Sequence, residues 1–141
     1  MNVTLERKNN AYLFEAKGKS GVPIMIDNTS QEGAQGASPM ELLLMGVGSC
    51  SAIDVINILE KQKQIIETYH IEVTGGRKQT KEAKPFDSIH VRIRMEGGLD
   101  PVKVKKAAAL SFDKYCSVSI TLEKSVSVTY AITLNNCLLV V

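Results

Sequence analysis

The sequence predicts an α+β fold in which a long central helix packs against largely antiparallel sheets. Three observations carry that expectation. Residues 2–27 read as short alternating segments broken by turns; Met40 to about Leu59 is apolar almost all round; and the later alternating segments have only one full helix among them. Strands and helices therefore do not alternate one for one, as a doubly wound parallel sheet would require.

The first quarter holds "NVTLE", "YLFEAK" and "VPIMID", three short strands separated by the turn-forming "KNN" and "GKSG". Residues 28–38, "NTSQEGAQGAS", are small and polar and predict a loop with the composition of a mobile segment. The helix that follows has Ser38 as N-cap, Pro39 at its first position and Glu41 placed to complete a capping box. A helix without a broad polar face is a buried one, and at about 1.5 Å per residue it spans roughly 30 Å. Next come "YHIEVTG" (69–75) and "IHVRIRM" (89–95). Each alternates an apolar face with a polar one bearing His70, Glu72, His90, Arg92 and Arg94, the pattern of a sheet wet on one side. The segment between them predicts a long exposed loop. Asp100 and Pro101 open a second helix running to about Tyr115. A helical turn is expected at "CSVSITL", then a strand at "SVSVTYAIT" with Val126, Val128, Tyr130 and Ile132 on one side. The apolar tail, residues 134–141, suits an extra strand or burial against a partner. The whole chain, 1–141, is expected to be one domain.

Composition narrows the function classes. A net charge of +2 gives no strong pull toward nucleic acid or acidic membrane, and the lysines at 78, 81, 84, 103, 105 and 106 have no aromatic stacking platform beside them. No continuous apolar run of the roughly 18–20 residues needed for a membrane span is seen, and the N-terminus lacks a signal-peptide core. Cys50, Cys116 and Cys137 form an odd set without close spacing, which argues against a secreted disulfide framework. No Cys-x-x-Cys occurs and both histidines lie in strands, so the spacing predicts no metal site. A cytoplasmic protein with reduced thiols is expected.

The stretch "MGVGSCSAIDV", residues 45–55, is the most informative. Gly46, Gly48, Ser49, Ser51 and Ala52 thin the bulk around Cys50, and two helical glycines cost roughly 1 kcal/mol each against alanine. Close packing of a neighbouring element is one explanation; a pocket beside the sulfur, lined by Gly46, Gly48, Ser49, Ile53 and Asp54, is the other. Cys116 also sits in helical context. Two such cysteines that met in space would have the parts of a thiol peroxidase, one forming a sulfenic acid and the other condensing with it. Cys137 reads as an inert small hydrophobe.

"SPMELLLMGVGSCSAIDV" resembles the central-helix motif of the OsmC/Ohr family, in which a cysteine follows the helix-opening proline by eleven residues, as Cys50 follows Pro39. "KYCSVSITLEKSVSVTY" is similar to the second family cysteine and its surroundings, and the wording of both segments resembles the YhfA-like branch most. The resemblance covers roughly residues 1–133. It implies an OsmC-like fold, an intertwined homodimer with its site at the interface, and reduction of organic hydroperoxides with Cys50 as peroxidatic and Cys116 as resolving thiol. It further implies a dithiol reductant and no metal, haem or flavin cofactor. Three departures stand against it, one being Ser117 where many family peroxidases have a proline after the second cysteine. The family glutamate after the proline is Met40 here, with Glu41 one residue later and about 13 Å along the helix from Cys50 on the opposite face; the one N-terminal arginine is Arg7. Glu41 and Arg7 are the candidates to assist the thiolate, Glu41 being better placed as a cap. Met40 supports another function, a dimeric protein binding a small apolar ligand without turnover; a third is a thiol redox sensor that uses the same disulfide as a switch.

Overall fold

The computed structural model describes residues 1–140 and divides into two compact units, residues 1–43 and the chain from Leu44 onward. In the first unit β1 (Thr4–Arg7), β2 (Phe14–Lys17) and β3 (Pro23–Ile26) form an antiparallel meander, as the alternation predicts. Asn9 shapes the first turn: its Oδ1 accepts from the backbone N–H groups of Ala11 and Leu13 at 2.9 and 3.2 Å. Residues 28–36 are the predicted loop, but they are tied down. Ala37 bridges to Ile26, and the Asp27 carboxylate accepts from the N–H groups of Asn28 and Gln35.

Helix α1 (Pro39–Lys61) starts in the first unit and continues into the second. Its capping box is formed: Ser38 N–H donates to Glu41 Oε2 at 2.7 Å and Glu41 N–H to Ser38 Oγ at 3.2 Å. Two backbone donors that the first helical turn cannot satisfy are thereby used.

The second unit is a four-stranded sheet, in the order of β4 (Thr68–Arg77), β5 (Phe86–Glu96), β6 (Ser127–Leu134) and β7 (Cys137–Leu139). Val47, Gly48, Ser51, Val55 and Leu59 of α1 are buried at helical spacing and form one stripe. The sheet supplies the matching core with Ile89, Val91, Ile93, Met95, Ile132 and Leu134, all buried. On the other face Arg92 pairs with Glu72 at 2.8 Å, and His90 Nδ1 lies 2.8 Å from Thr129 Oγ1. That is the one-side-wet sheet the alternation predicts. The expectation that no segment is long and apolar enough to cross a membrane is corrected, because α1 is so by length and composition alone; in this fold its buried stripe lies on the sheet.

The expected bounds of the loop between the two long strands are corrected. Strands β4 and β5 extend further than the alternation marks, so the loop shortens to residues 78–85. Glycine permits this: a side chain at Gly75 would overlap the Phe86 ring across the ladder. The pairing is largely antiparallel, as expected, with one exception: β5 and β6 run parallel, with Ile89 opposite Val128 and Ile93 opposite Ile132. Parallel neighbours need a long crossover, and here it is the second helical region. That region is helical to Tyr115, as expected, but its last turn is wider. Helix α2 (Pro101–Leu110), capped by Asp100 on Val102 N–H at 2.8 Å, passes into a single π-turn, Ser111–Tyr115, and then α3 (Ser117–Leu122). Phe112 of the π-turn stacks on Tyr130 of β6, ring centroids 4.3 Å apart. Within the apolar tail Cys137–Leu139 form β7: Asn135 and Asn136, both at positive φ, turn the chain back into it.

Candidate dithiol site

Cys50 lies midway along α1, and Asp54 follows one turn later on the same face. Cys116 lies at the end of the crossover's π-turn, where it caps α3. The fold gathers them: the two sulfurs and a carboxylate oxygen of Asp54 all lie within 4.8 Å of one another. All three cysteines are free thiols. Cys50 is half-buried, Cys116 fully buried and Cys137 exposed on β7.

Local chemistry explains how Cys116 is held. The wider π-turn closes with Cys116 N–H donating to Ser111 carbonyl oxygen at 2.7 Å, a geometry common at functional sites. Cys116 Sγ accepts from the hydroxyl of Ser119 at 3.1 Å and from its N–H at 3.5 Å. Ser111, also buried, places its hydroxyl 3.3 Å from both the Ser51 carbonyl oxygen and Asp54 Oδ2, so it links the crossover to α1 and orients the carboxylate. Burial pushes the Cys116 thiol above the ordinary cysteine value; the two Ser119 donors oppose that rise, and the neighbouring Cys50 adds to it.

The other candidate residues fall into separate environments. Gly48 is buried and faces the sheet: a Cβ there would stand 2.9 Å from Val73 Cγ2, so it is a packing glycine and not part of a pocket wall. Gly46 is half-buried beside Val118 of α3, where a Cβ would make ordinary contact at 3.6 Å. Ser49 is exposed with its hydroxyl on Met45 carbonyl oxygen at 2.7 Å, and Ile53 is exposed on the outer face of α1. Arg7 donates to the carbonyl oxygens of Asn10 and Ala11 in its own hairpin. Glu41 is engaged in the capping box, and its bonds to Ser38 hold its carboxyl below the usual carboxylate range. Both are thus committed within the first unit. A recess of about 460 Å³ opens at Asp54 between Asn57, Lys61, Leu110 and Tyr115.

Sequence reasoning missed Ser111 and Ser119. Ser119 had a legible signal, since it stands three residues after the cap in "CSVS", the spacing of a capping box. Ser111 had none, because its role depends on the π-turn. Local spacing predicts no metal site, whereas the fold gathers Cys50, Asp54 and Cys116 into a possible ligand set.

Residues 31–131 match the family described as OsmC-like protein. Protein YhfA of Escherichia coli K12 is 37% identical over 119 residues, covering 84% of this chain and 87% of that protein. Among solved structures, a protein from Aquifex aeolicus VF5 superposes with a TM-score of 0.80 at 29% identity, covering 95% of this chain and 96% of its own. The organic hydroperoxide resistance protein OhrB of Bacillus subtilis has the same fold, with a TM-score of 0.66 at 18% identity over 95% of this chain and 96% of its own.

Proposed function

The chain belongs to the OsmC-like protein family, and from that premise we propose that it is a thiol-dependent peroxidase that reduces organic hydroperoxides through Cys50 and Cys116. The observation that carries the reading is the meeting of the two sulfurs, 66 positions apart in sequence, within 4.8 Å. A disulfide needs that approach, and random placement of two thiols in a chain does not supply it.

Cys50 is the more accessible thiol and takes the peroxidatic role. Its thiolate attacks the terminal oxygen of ROOH, the O–O bond breaks, and the departing alkoxide takes a proton to become ROH. Cys50 is left as the sulfenic acid. Cys116 then attacks the Cys50 sulfur as thiolate and expels the oxygen as water, leaving a Cys50–Cys116 disulfide. A small dithiol reductant restores two thiols by exchange. The raised affinity of Cys116 for its proton suits this division, because the buried thiol stays protonated while Cys50 reacts. Whether the whole chain acts as one domain and as a homodimer belongs to the same reading. Leu43, Met45 and Ile53 expose the outer face of α1, which a second copy would cover. Equilibrium sedimentation is expected to give a dimer, and a stable monomer would remove this part of the proposal. The setting is the cytoplasm, where the thiols rest reduced.

A second reading is favoured by Asp54. Its carboxylate lies within 4.8 Å of both sulfurs, and together with Met40 it fits a protein that binds a small apolar ligand without turnover, or one that uses the dithiol as a sensor. Reaction of the reduced protein with one equivalent of cumene hydroperoxide, beside hydrogen peroxide, separates them. Loss of two thiols within seconds and a Cys50–Cys116 cross-link on peptide mapping are expected. Cys116→Ser is expected to accumulate the sulfenic acid. Undiminished turnover in Cys50→Ser, or two thiols surviving for many minutes in the wild type, would overturn the peroxidase assignment.

A further inference from the structure

We propose that Cys50, Asp54 and Cys116 form a binding site for a thiophilic divalent cation of the zinc class, independent of any peroxide turnover. Three potentially anionic ligands converge here, with both sulfurs and one carboxylate oxygen within 4.8 Å of one another. Tetrahedral zinc with sulfur at about 2.3 Å and oxygen at about 2.0–2.2 Å needs ligand separations of about 3.5–3.8 Å. The cluster therefore closes on a metal by side-chain adjustments of about 1 Å, well within the freedom of a cysteine χ1 and an aspartate.

The arrangement resembles a metal site beyond its ligand count. Cys50 and Asp54 are one turn apart on α1 and supply a rigid two-point grip, while Cys116 comes from a separate element and completes the facial set. Each of the two supporting serines does what outer-shell groups do around metals. Ser119 donates its hydroxyl and its N–H to Cys116 Sγ, bonds that would hold the sulfur once a cation had displaced its proton, and Ser111 places a hydroxyl on Asp54 Oδ2. A carboxylate beside two thiols is unfavourable for a bare dithiol, but a dication reverses that sign and turns the three groups into one neutralised centre. Cys50 is half-buried and gives the ion its way in; the fourth position stays open to water. Binding displaces protons from both thiols and occupies Cys50 Sγ, so metal and peroxide compete for the same sulfur.

The test uses the reduced full-length protein without oxygen or peroxide, titrated with Cd²⁺ and followed by the ultraviolet thiolate-to-cadmium charge-transfer band, with Zn²⁺ as competitor. One Cd²⁺ per chain is expected, displaced by Zn²⁺. Cys50→Ser and Cys116→Ser are expected to lose the band, while Cys137→Ser keeps it. Asp54→Asn, nearly isosteric, is expected to weaken binding more than about 100-fold, and Ser119→Ala about 10–100-fold. Far-UV circular dichroism and unfolding midpoints establish that each variant is folded. No stoichiometric band in the wild type, a band that needs Cys137, or unchanged affinity in Asp54→Asn would each overturn the site. Because no peroxide is present, these results stand whether or not the protein turns over hydroperoxides.

Discussion

The two glycines of "MGVGSC" give the most discriminating stability experiment. Replacing either by alanine removes a flexible residue from a helix interior, a gain of about 0.4–1 kcal/mol. What the new methyl meets then decides the sign. At Gly46 the Cβ would lie 3.6 Å from Val118 Cγ1, an ordinary contact, so Gly46→Ala is expected to stabilise by about 0.5–1 kcal/mol. At Gly48 it would stand 2.9 Å from Val73 Cγ2. Valine is stiff at χ1 and β4 holds its backbone, so the overlap is relieved only by moving helix from sheet, at about 1–3 kcal/mol. The net for Gly48→Ala is about 0–2 kcal/mol of destabilisation once the helical gain is included. Urea unfolding at one fixed protein concentration measures both, with equal m-values as the condition for comparison. In a thermal scan the same differences appear as about 3–4 °C per kcal/mol for a chain of this length. If Gly48→Ala proves as stabilising as Gly46→Ala, the packing account of Gly48 is wrong. If Gly46→Ala destabilises, something outside this chain already fills the space beside it.

Two further effects are expected. Ser38→Ala removes the hydroxyl that accepts from Glu41 N–H and should cost about 1 kcal/mol in a urea titration; no change would mean that the box contributes nothing to stability. Cys116, its pKa raised chiefly by burial, favours folding as the neutral thiol. That contribution is present below the ordinary cysteine value of about 8.5 and is lost as pH rises through the higher folded value. Between those two values the stability of the wild type should therefore fall more steeply with pH than that of Cys116→Ala, and parallel pH profiles of the urea midpoint would refute the assignment.

The legible parts of this fold were those with short-range causes. The start of α1 follows from Ser38, Pro39 and Glu41, whose bonds are local, and the one-sided sheet follows from the alternation of Tyr69 to Gly75 and Ile89 to Met95. What escaped depends on distance or on a special backbone. Nothing local in "SVSVTYAIT" says whether its neighbour is parallel or antiparallel; that is settled by where the crossover returns. The extension of β4 through Gly75 and Gly76 defied propensity because the Phe86 ring occupies the place of a side chain. The π-turn at Ser111 adds one residue to a helical turn, with no residue type that announces it. For the site, the resemblance singled out both inner cysteines, but their distance, the approach of Asp54 and the two serines belong to tertiary structure alone.

The crossover that makes β5 and β6 parallel also decides what a bond between the cysteines would do mechanically. One sulfur sits on α1, ahead of β4, and the other on the segment that must be laid over the sheet before β6 can pair. A cross-link there would enclose β4, β5 and α2 in a single ring of about 65 residues, and the chain-entropy treatment assigns such a ring about 4 kcal/mol against unfolding. Oxidation would then lock the crossover in place, and reduction would free it to open, so the redox history of the molecule would be written in its unfolding rate.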